Sequence, residues 1–221
     1  MTKFVQRVTL LIWLLPTICG SATAVNESSQ GSTISTAVIS MSSSDIAKVI
    51  KLHDVGKMVE TMNQVKRVSY KSEIVPYVES LWFRTAAGLS EDDWSFLNLP
   101  RVRLEVADVL VQASKNGMYS NDRKVFVEYA RRYVGSNDLD AARQAIIILG
   151  VNDDRGDQIL LTSIGLEENN RTSDTALVLL AGMCLTDGES GDILSKLKSK
   201  KLRSLFAKAR TSQQVLQANC K

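Results

Sequence analysis

Slid along itself by 34 residues, the chain pairs Asp140, Ala142, Ile159 and Leu160 with Asp174, Ala176, Ile193 and Leu194. A shift of 35 aligns Leu104, Val106, Ala107, Leu110 and Val111 with Leu139, Ala141, Ala142, Ala145 and Ile146, and takes Val125 to Leu160. Periods of this length mark stacked supersecondary units. A single helical hairpin cannot shelter its own apolar face, so copies pile up and shelter one another's. Ala107, Ala142 and Ala176 recur at one place in the period, where small side chains let neighbouring helices approach closely.

Each unit reads as a helix, a short polar loop and a second helix. Apolar residues return at three- and four-residue spacing almost throughout: Ile46, Val49, Ile50; Val55, Met58, Val59, Met62; Ile74, Val75, Val78, Leu81, Trp82; Val102, Val106, Leu110, Ala113; Val125, Phe126, Tyr129, Ala130, Tyr133. The pattern continues through Leu160, Leu161, Ile164, then Ala176, Leu177, Leu180, Cys184, and last Ile193, Leu194, Leu197. Ser44 and Ser72 are placed to cap helices, Ser90 and Asp93 have capping-box spacing, and Asn137 or Asp138 opens the helix that follows. Gly56 marks a bend between the first two pieces, and Pro76 falls in a first helical turn, where a missing N–H is tolerated. The β-branched run Ala145–Leu149 lies inside a helical period. The fold class is therefore all-α.

These residues also carry a family resemblance. Leu99–Gly117, "LPRVRLEVADVLVQASKNG", looks like the first helix of a HEAT repeat, with its Pro–x–Val–Arg start. Asp140–Asn169 resembles a whole unit, with Arg143, Leu149, Gly150 and the Ile159–Leu160–Leu161 cluster in the expected places, and Arg171–Met183 resembles the start of the next. The resemblance covers about Ser44 to Leu205 and departs from the pattern over Arg103–Gly135, where the loop "KNGMYSND" is long. It implies a short α-solenoid of stacked helical hairpins. Members of that family mostly bind proteins or peptides along a concave row of second helices, which here would be Ser72–Arg84, Asn121–Tyr133, Gly156–Ile164 and Gly191–Lys200. Cys184 and Cys220 lie one repeat plus two residues apart, so a final helix folding back would bring them together. A disulfide between them is one expectation and two inert thiols the other.

The N-terminus has the form of an export signal. Lys3 and Arg7 precede the apolar run Val8–Cys19, too short to cross a bilayer, and Ala22 and Ala24 give small residues before a cleavage site. Residues 1–24 are read as a signal peptide, 25–44 as a Ser/Thr-rich flexible leader and 45–221 as the helical domain, with the bacterial periplasm as destination. Lipid attachment at Cys19 is the alternative, disfavoured by the bulky Ile18 in front of it. No later segment approaches membrane-spanning length.

Charge is unevenly spread. Ile193–Lys221 holds eight Lys or Arg and no acidic residue; removing those eight and the two basic residues of the signal from a total of +3 leaves −7 for residues 8–192. The basic end is either a solvated terminal cap or a contact with an acidic partner or the anionic groups of a cell envelope. Nucleic acid is not expected as a partner, because the body is acidic and the chain carries an export signal.

Chemistry-bearing patterns are weak. His53 is the single histidine, read as a structural residue on an apolar helix, and it leaves Cys184 and the serines without an imidazole base. "NDDRGD", Asn152–Asp157, lacks the distal acidic ligand of a calcium loop and reads as a polar loop with caps; its Arg155–Gly156–Asp157 tripeptide carries little weight. "GESG", Gly188–Gly191, is no nucleophile elbow. No metal, cofactor or catalytic residue is expected. The function expected is a non-catalytic adaptor offering a helical groove to a protein or peptide, with Tyr77, Lys124, Arg131, Arg132, Lys196 and Lys200 as contact residues. An envelope-associated structural protein held by the basic end is the second reading, and an enzyme of unrecognised type the third.

Overall fold

A computed structural model describes residues 41–67, 74–167 and 170–212. Among them are eleven helices and no strand: α1 (Ser43–Ile50), α2 (Val55–Arg67), α3 (Ile74–Trp82), α4 (Glu91–Leu97), α5 (Pro100–Lys115), α6 (Lys124–Arg131), α7 (Leu139–Asn152), α8 (Arg155–Leu166), α9 (Ser173–Gly182), α10 (Asp187–Lys196) and α11 (Lys200–Ser212). The all-α class is as expected. The proposed signal, most of the leader and Ser72 lie outside the described residues.

Helix starts follow local chemistry. Ser90 accepts from the Asp93 N–H while the Asp93 carboxylate accepts from the Ser90 N–H, a complete capping box on α4. Asp138 caps α7 by accepting from the N–H groups of Asp140 and Ala141. Pro100 opens α5, where its absent N–H leaves nothing unpaired. The first helix departs from expectation: its cap is Ser42, in a box with Asp45, because Ser44 is already inside α1. Gly56 is no bend either. The chain turns at Lys51–His53, with His53 in the left-handed region (φ 49°), and Gly56 sits within α2. At the far end of α5 the left-handed conformation falls to Gly117 (φ 70°), and Met118 N–H closes the turn on Ala113 O at 2.9 Å.

Packing follows chain order. α5 lies against α7, α7 against α9 and α9 against α11, so each longer helix packs on the one two places along. α6 bridges α5 and α7, α8 bridges α7 and α9, and α10 touches α8 and α11. At the other end α2, α3 and α4 all pack on α5, and α1 on α2 and α4. Hairpins adjacent in sequence are thus adjacent in space. Their shared core runs from Ile46 and Ile50 through Leu104, Val109 and Leu110 to Ile146, Ile148, Leu177, Leu180 and Phe206, all essentially without solvent contact. Ala107, Ala142 and Ala176, the small residues of the repeat, are buried where these helices meet.

Gly150 marks a close approach to backbone-fixed carbon. A Cβ there would stand 3.0 Å from Leu179 Cβ, a carbon fixed to the α9 backbone that cannot swing aside. Gly150→Val should lower stability by about 1–3 kcal/mol through overpacking, read as a fall in the urea midpoint at unchanged slope.

Candidate binding surface

Two polar systems organise the helices. The first is buried. Asp108, fully sequestered on α5, accepts from Lys66 Nζ of α2 at 2.6 Å, from Gln112 Nε2 at 2.8 Å and from Gln144 Nε2 of α7 at 2.9 Å. Glu105, one turn earlier and also buried, faces Lys66 at 3.5 Å and Arg101 at 3.4 Å. Burial raises the Glu105 carboxyl above the usual carboxylate range. Burial works to lower the Lys66 pKa, but Asp108 and Glu105 outweigh it and hold the ammonium charged. Arg101 also reaches Asp140 of α7 at 3.8 Å, so the cluster is an internal tie between α2, α5 and α7.

The second system links each second helix to its successor. Glu79 of α3 accepts from Tyr119 Oη and Asn121 Nδ2, both at 2.6 Å, in the loop leading into α6. Burial and the Glu79 contact push the Tyr119 hydroxyl up to about 12. Arg131 of α6 donates through Nε (2.9 Å) and Nη2 (2.8 Å) to Asp157 of α8, whose other oxygen accepts from Asn152 at 2.6 Å. Arg155 of α8 pairs with Glu189 of α10 at 2.5 Å. Asp157 has no solvent contact. The Arg155–Gly156–Asp157 tripeptide therefore has one end paired and the other buried, and it offers no loop ligand. Asn152–Asp157 is otherwise the capped turn expected: Asp153 takes the left-handed position that ends α7 and Asp154 caps α8.

The residues expected to meet a partner divide accordingly. Arg131 is committed to Asp157 and Glu128. Lys124 and Arg132 are exposed on α6 and carry no ion pair among the described residues. Lys196 and Lys200 are exposed at the end of α10 and the start of α11. Tyr77 is half-buried on α3, its hydroxyl pKa raised first by burial and then by the Asp93 charge. The residues do not all share one helix face: Lys124 and Arg132 belong to α6, Tyr77 to α3, and the two lysines to the last helices.

Apolar side chains show what was missed. Phe83, Met118, Val125 and Ile159 are about half or more exposed, at the end of α3, in the α5–α6 loop, and on α6 and α8. Two successive second helices each carry one of them, Val125 on α6 and Ile159 on α8. On α6 the exposed stripe is Lys124, Val125, Glu128 and Arg132, and on α8 it is Arg155, Ile159 and Ser163. Below this stripe Trp82 packs edge-on against Phe126 (5.0 Å) and Tyr129 (5.3 Å), and the Arg103 guanidinium lies 4.1 Å from the Trp82 ring while donating to Trp82 O. In the sequence Val125 belongs to an apolar stripe and Ile159 to the Ile159–Leu160–Leu161 cluster, so neither stands out as a surface residue.

His53 is not on an apolar helix. It sits in the α1–α2 turn, partly exposed, with Nε2 2.9 Å from Asp93 Oδ1 and its ring 5.3 Å from Phe96. The Ser90 N–H foremost, then the Ser90 hydroxyl and the His53 ring, hold the Asp93 carboxyl below its usual value against the opposing effect of burial. A depressed carboxyl stabilises above its unfolded pKa, about 4, and that contribution is lost as pH falls through the folded value. Asp93→Asn is expected to lower stability by about 1 kcal/mol near neutrality. In parallel acid titrations of melting, the gap to wild type should close as pH falls through the depressed folded value, below the ordinary carboxylate range.

Cys184 is disulfide-bonded. Cys19 and Cys220 lie outside the described residues, and so does the pairing expected between Cys184 and Cys220. Among the described residues no group of three His, Cys, Asp or Glu is placed to hold a metal, and no helix is long and apolar enough to cross a membrane. No family model matches the sequence, and no curated protein or solved structure matches it significantly.

Proposed function

We propose that the chain is an exported, non-catalytic binding module, a short α-solenoid of HEAT-like repeats that receives a protein or peptide on its second helices. The observation that carries this reading is that Val125 and Ile159 are exposed on two successive second helices, α6 and α8. The core beneath is complete without them. Isolated exposed aliphatics are ordinary, but one on each of two successive second helices, with Phe83 and Met118 near α6, makes an apolar strip. Lys124 and Arg132 add unpaired positive charge beside it. The inter-helix ties through Glu79, Arg131 and Arg155 support a preorganised strip, which limits the ordering entropy lost on binding.

The test is capture from the envelope fraction of the producing cell, on immobilised chain lacking residues 1–24. Val125→Asp with Ile159→Asp should leave the melting temperature within a few degrees, since both side chains already face water, and should abolish recovery of the captured protein. Recovery of the same protein by the doubly substituted chain would refute the strip as the binding surface.

A further inference from the structure

The structure splits the basic C-terminal segment into two classes of residue. The arginines are occupied internally: Arg203 donates to Leu197 O through both Nε (3.2 Å) and Nη2 (2.5 Å), closing the turn between α10 and α11. Arg210 donates to Met183 O (3.3 Å) and Leu185 O (2.6 Å), tying α11 to the end of α9. The lysines are not so used. Lys196, Lys198, Lys200, Lys201 and Lys208 are all exposed, and none forms an ion pair among the described residues. Lys196 follows Asp192 by one helical turn without pairing to it, and the nearer carboxylate of α10, Glu189, is taken by Arg155.

Four of these lysines fall within six residues, at the C-terminus of α10 and the N-terminus of α11. For two of them the location is electrostatically adverse. Lys200 and Lys201 stand at the first two positions of a 13-residue helix with no acidic residue in its first turn, where the positive end of the macrodipole repels cations. Stability of the fold does not account for that placement; an external anion would.

We propose that the α10–α11 turn is a contact site for an anionic lipid surface. The chemistry separates this from other anionic partners. A protein partner requires a desolvated anchor, usually aromatic or Arg, and among the described residues none of the exposed large apolar side chains lies beyond Ile159. Reading or stacking on nucleic acid uses forked guanidinium groups and aromatic faces, and here the guanidinium groups point inward at carbonyls. Flexible ammonium groups on a projecting turn suit many mobile phosphates at once, the pattern of polybasic membrane contacts. This site stands apart from the strip on α6 and α8, and either can fail without the other.

The experiment is co-sedimentation of the purified full chain with phosphatidylcholine vesicles, with and without phosphatidylglycerol. Binding is expected only with phosphatidylglycerol, and it should weaken steeply with added salt. Lys198→Gln/Lys200→Gln/Lys201→Gln should lower the partition coefficient by about a hundredfold, near fivefold per lysine. The Arg triple at the same positions should retain it. Lys51→Gln/Lys57→Gln/Lys115→Gln removes equal charge from exposed sites elsewhere and should have little effect. The proposal is overturned if the full chain does not sediment with anionic vesicles, if it binds neutral ones equally, or if the two Gln triples lose binding alike. Circular dichroism melting of each variant confirms that the fold is kept.

Discussion

Asp108→Ala is expected to lower the free energy of unfolding by about 3–5 kcal/mol, a large share of what holds a domain of this size together. The carboxylate has no solvent contact and accepts three hydrogen bonds, from Lys66, Gln112 and Gln144. Removing it leaves the Lys66 ammonium facing only Glu105 at 3.5 Å, and takes an acceptor from the buried Gln144 amide. The penalty is that of an uncompensated buried cation, so it should shrink when the cation goes too. Lys66→Met with Asp108→Leu is expected to recover most of the loss, because isosteric apolar groups often replace a buried pair at little cost. Urea unfolding of the two single variants and the double closes this cycle. Equal, additive losses would mean that Lys66 and Asp108 do not act as a pair.

The second large effect is expected at Phe126. Its ring is fully buried between α3, α5 and α6, with Trp82 edge-on at 5.0 Å, Tyr119 at 6.0 Å and Phe83 at 6.4 Å. Phe126→Ala should cost about 3–5 kcal/mol, the transfer term plus that of a cavity that rigid aromatic walls cannot fill. Phe83 touches the same ring but is half exposed. Phe83→Ala removes far less sheltered area, and on the strip proposed here it should affect partner recovery more than melting. The contrast between these two phenylalanines separates core from surface with one method.

What the sequence made legible, and what it did not, follows from the range of the interactions. The capping box at Ser90 and Asp93 spans three residues, and the period that puts Ala142 and Ala176 in equivalent places is a pattern of composition. Both are local or repetitive signals, and the second helices expected at 121–133 and 156–164 appear as Lys124–Arg131 and Arg155–Leu166. The buried acids were not recognised, because Glu105 and Asp108 interrupt an apolar stripe and a stripe says nothing of counterions. Their partner Lys66 comes from about forty positions away, on another helix. Arg131 was read as a free cation for the same reason: Asp157 looked like one more cap in a polar loop, and only folding brings α8 against α6. His53 was placed on a helix because apolar neighbours surround it, yet the turn at Lys51–His53 breaks the period there. The charge of the basic end is legible in its composition. The division into inward arginines and outward lysines depends on where the carbonyls of Met183, Leu185 and Leu197 lie.

The central claim is that these hairpins support one another as a chain of neighbours, α5 on α7 on α9 on α11. Site-resolved hydrogen exchange on wild type and Phe206→Ala tests it most directly, because Phe206 is fully buried in α11 at one end of that chain. A nearest-neighbour array predicts that protection falls in α9, α10 and α11 and stays at wild-type level in α2, α3 and α5. Loss of protection by the same factor in every helix would contradict the account.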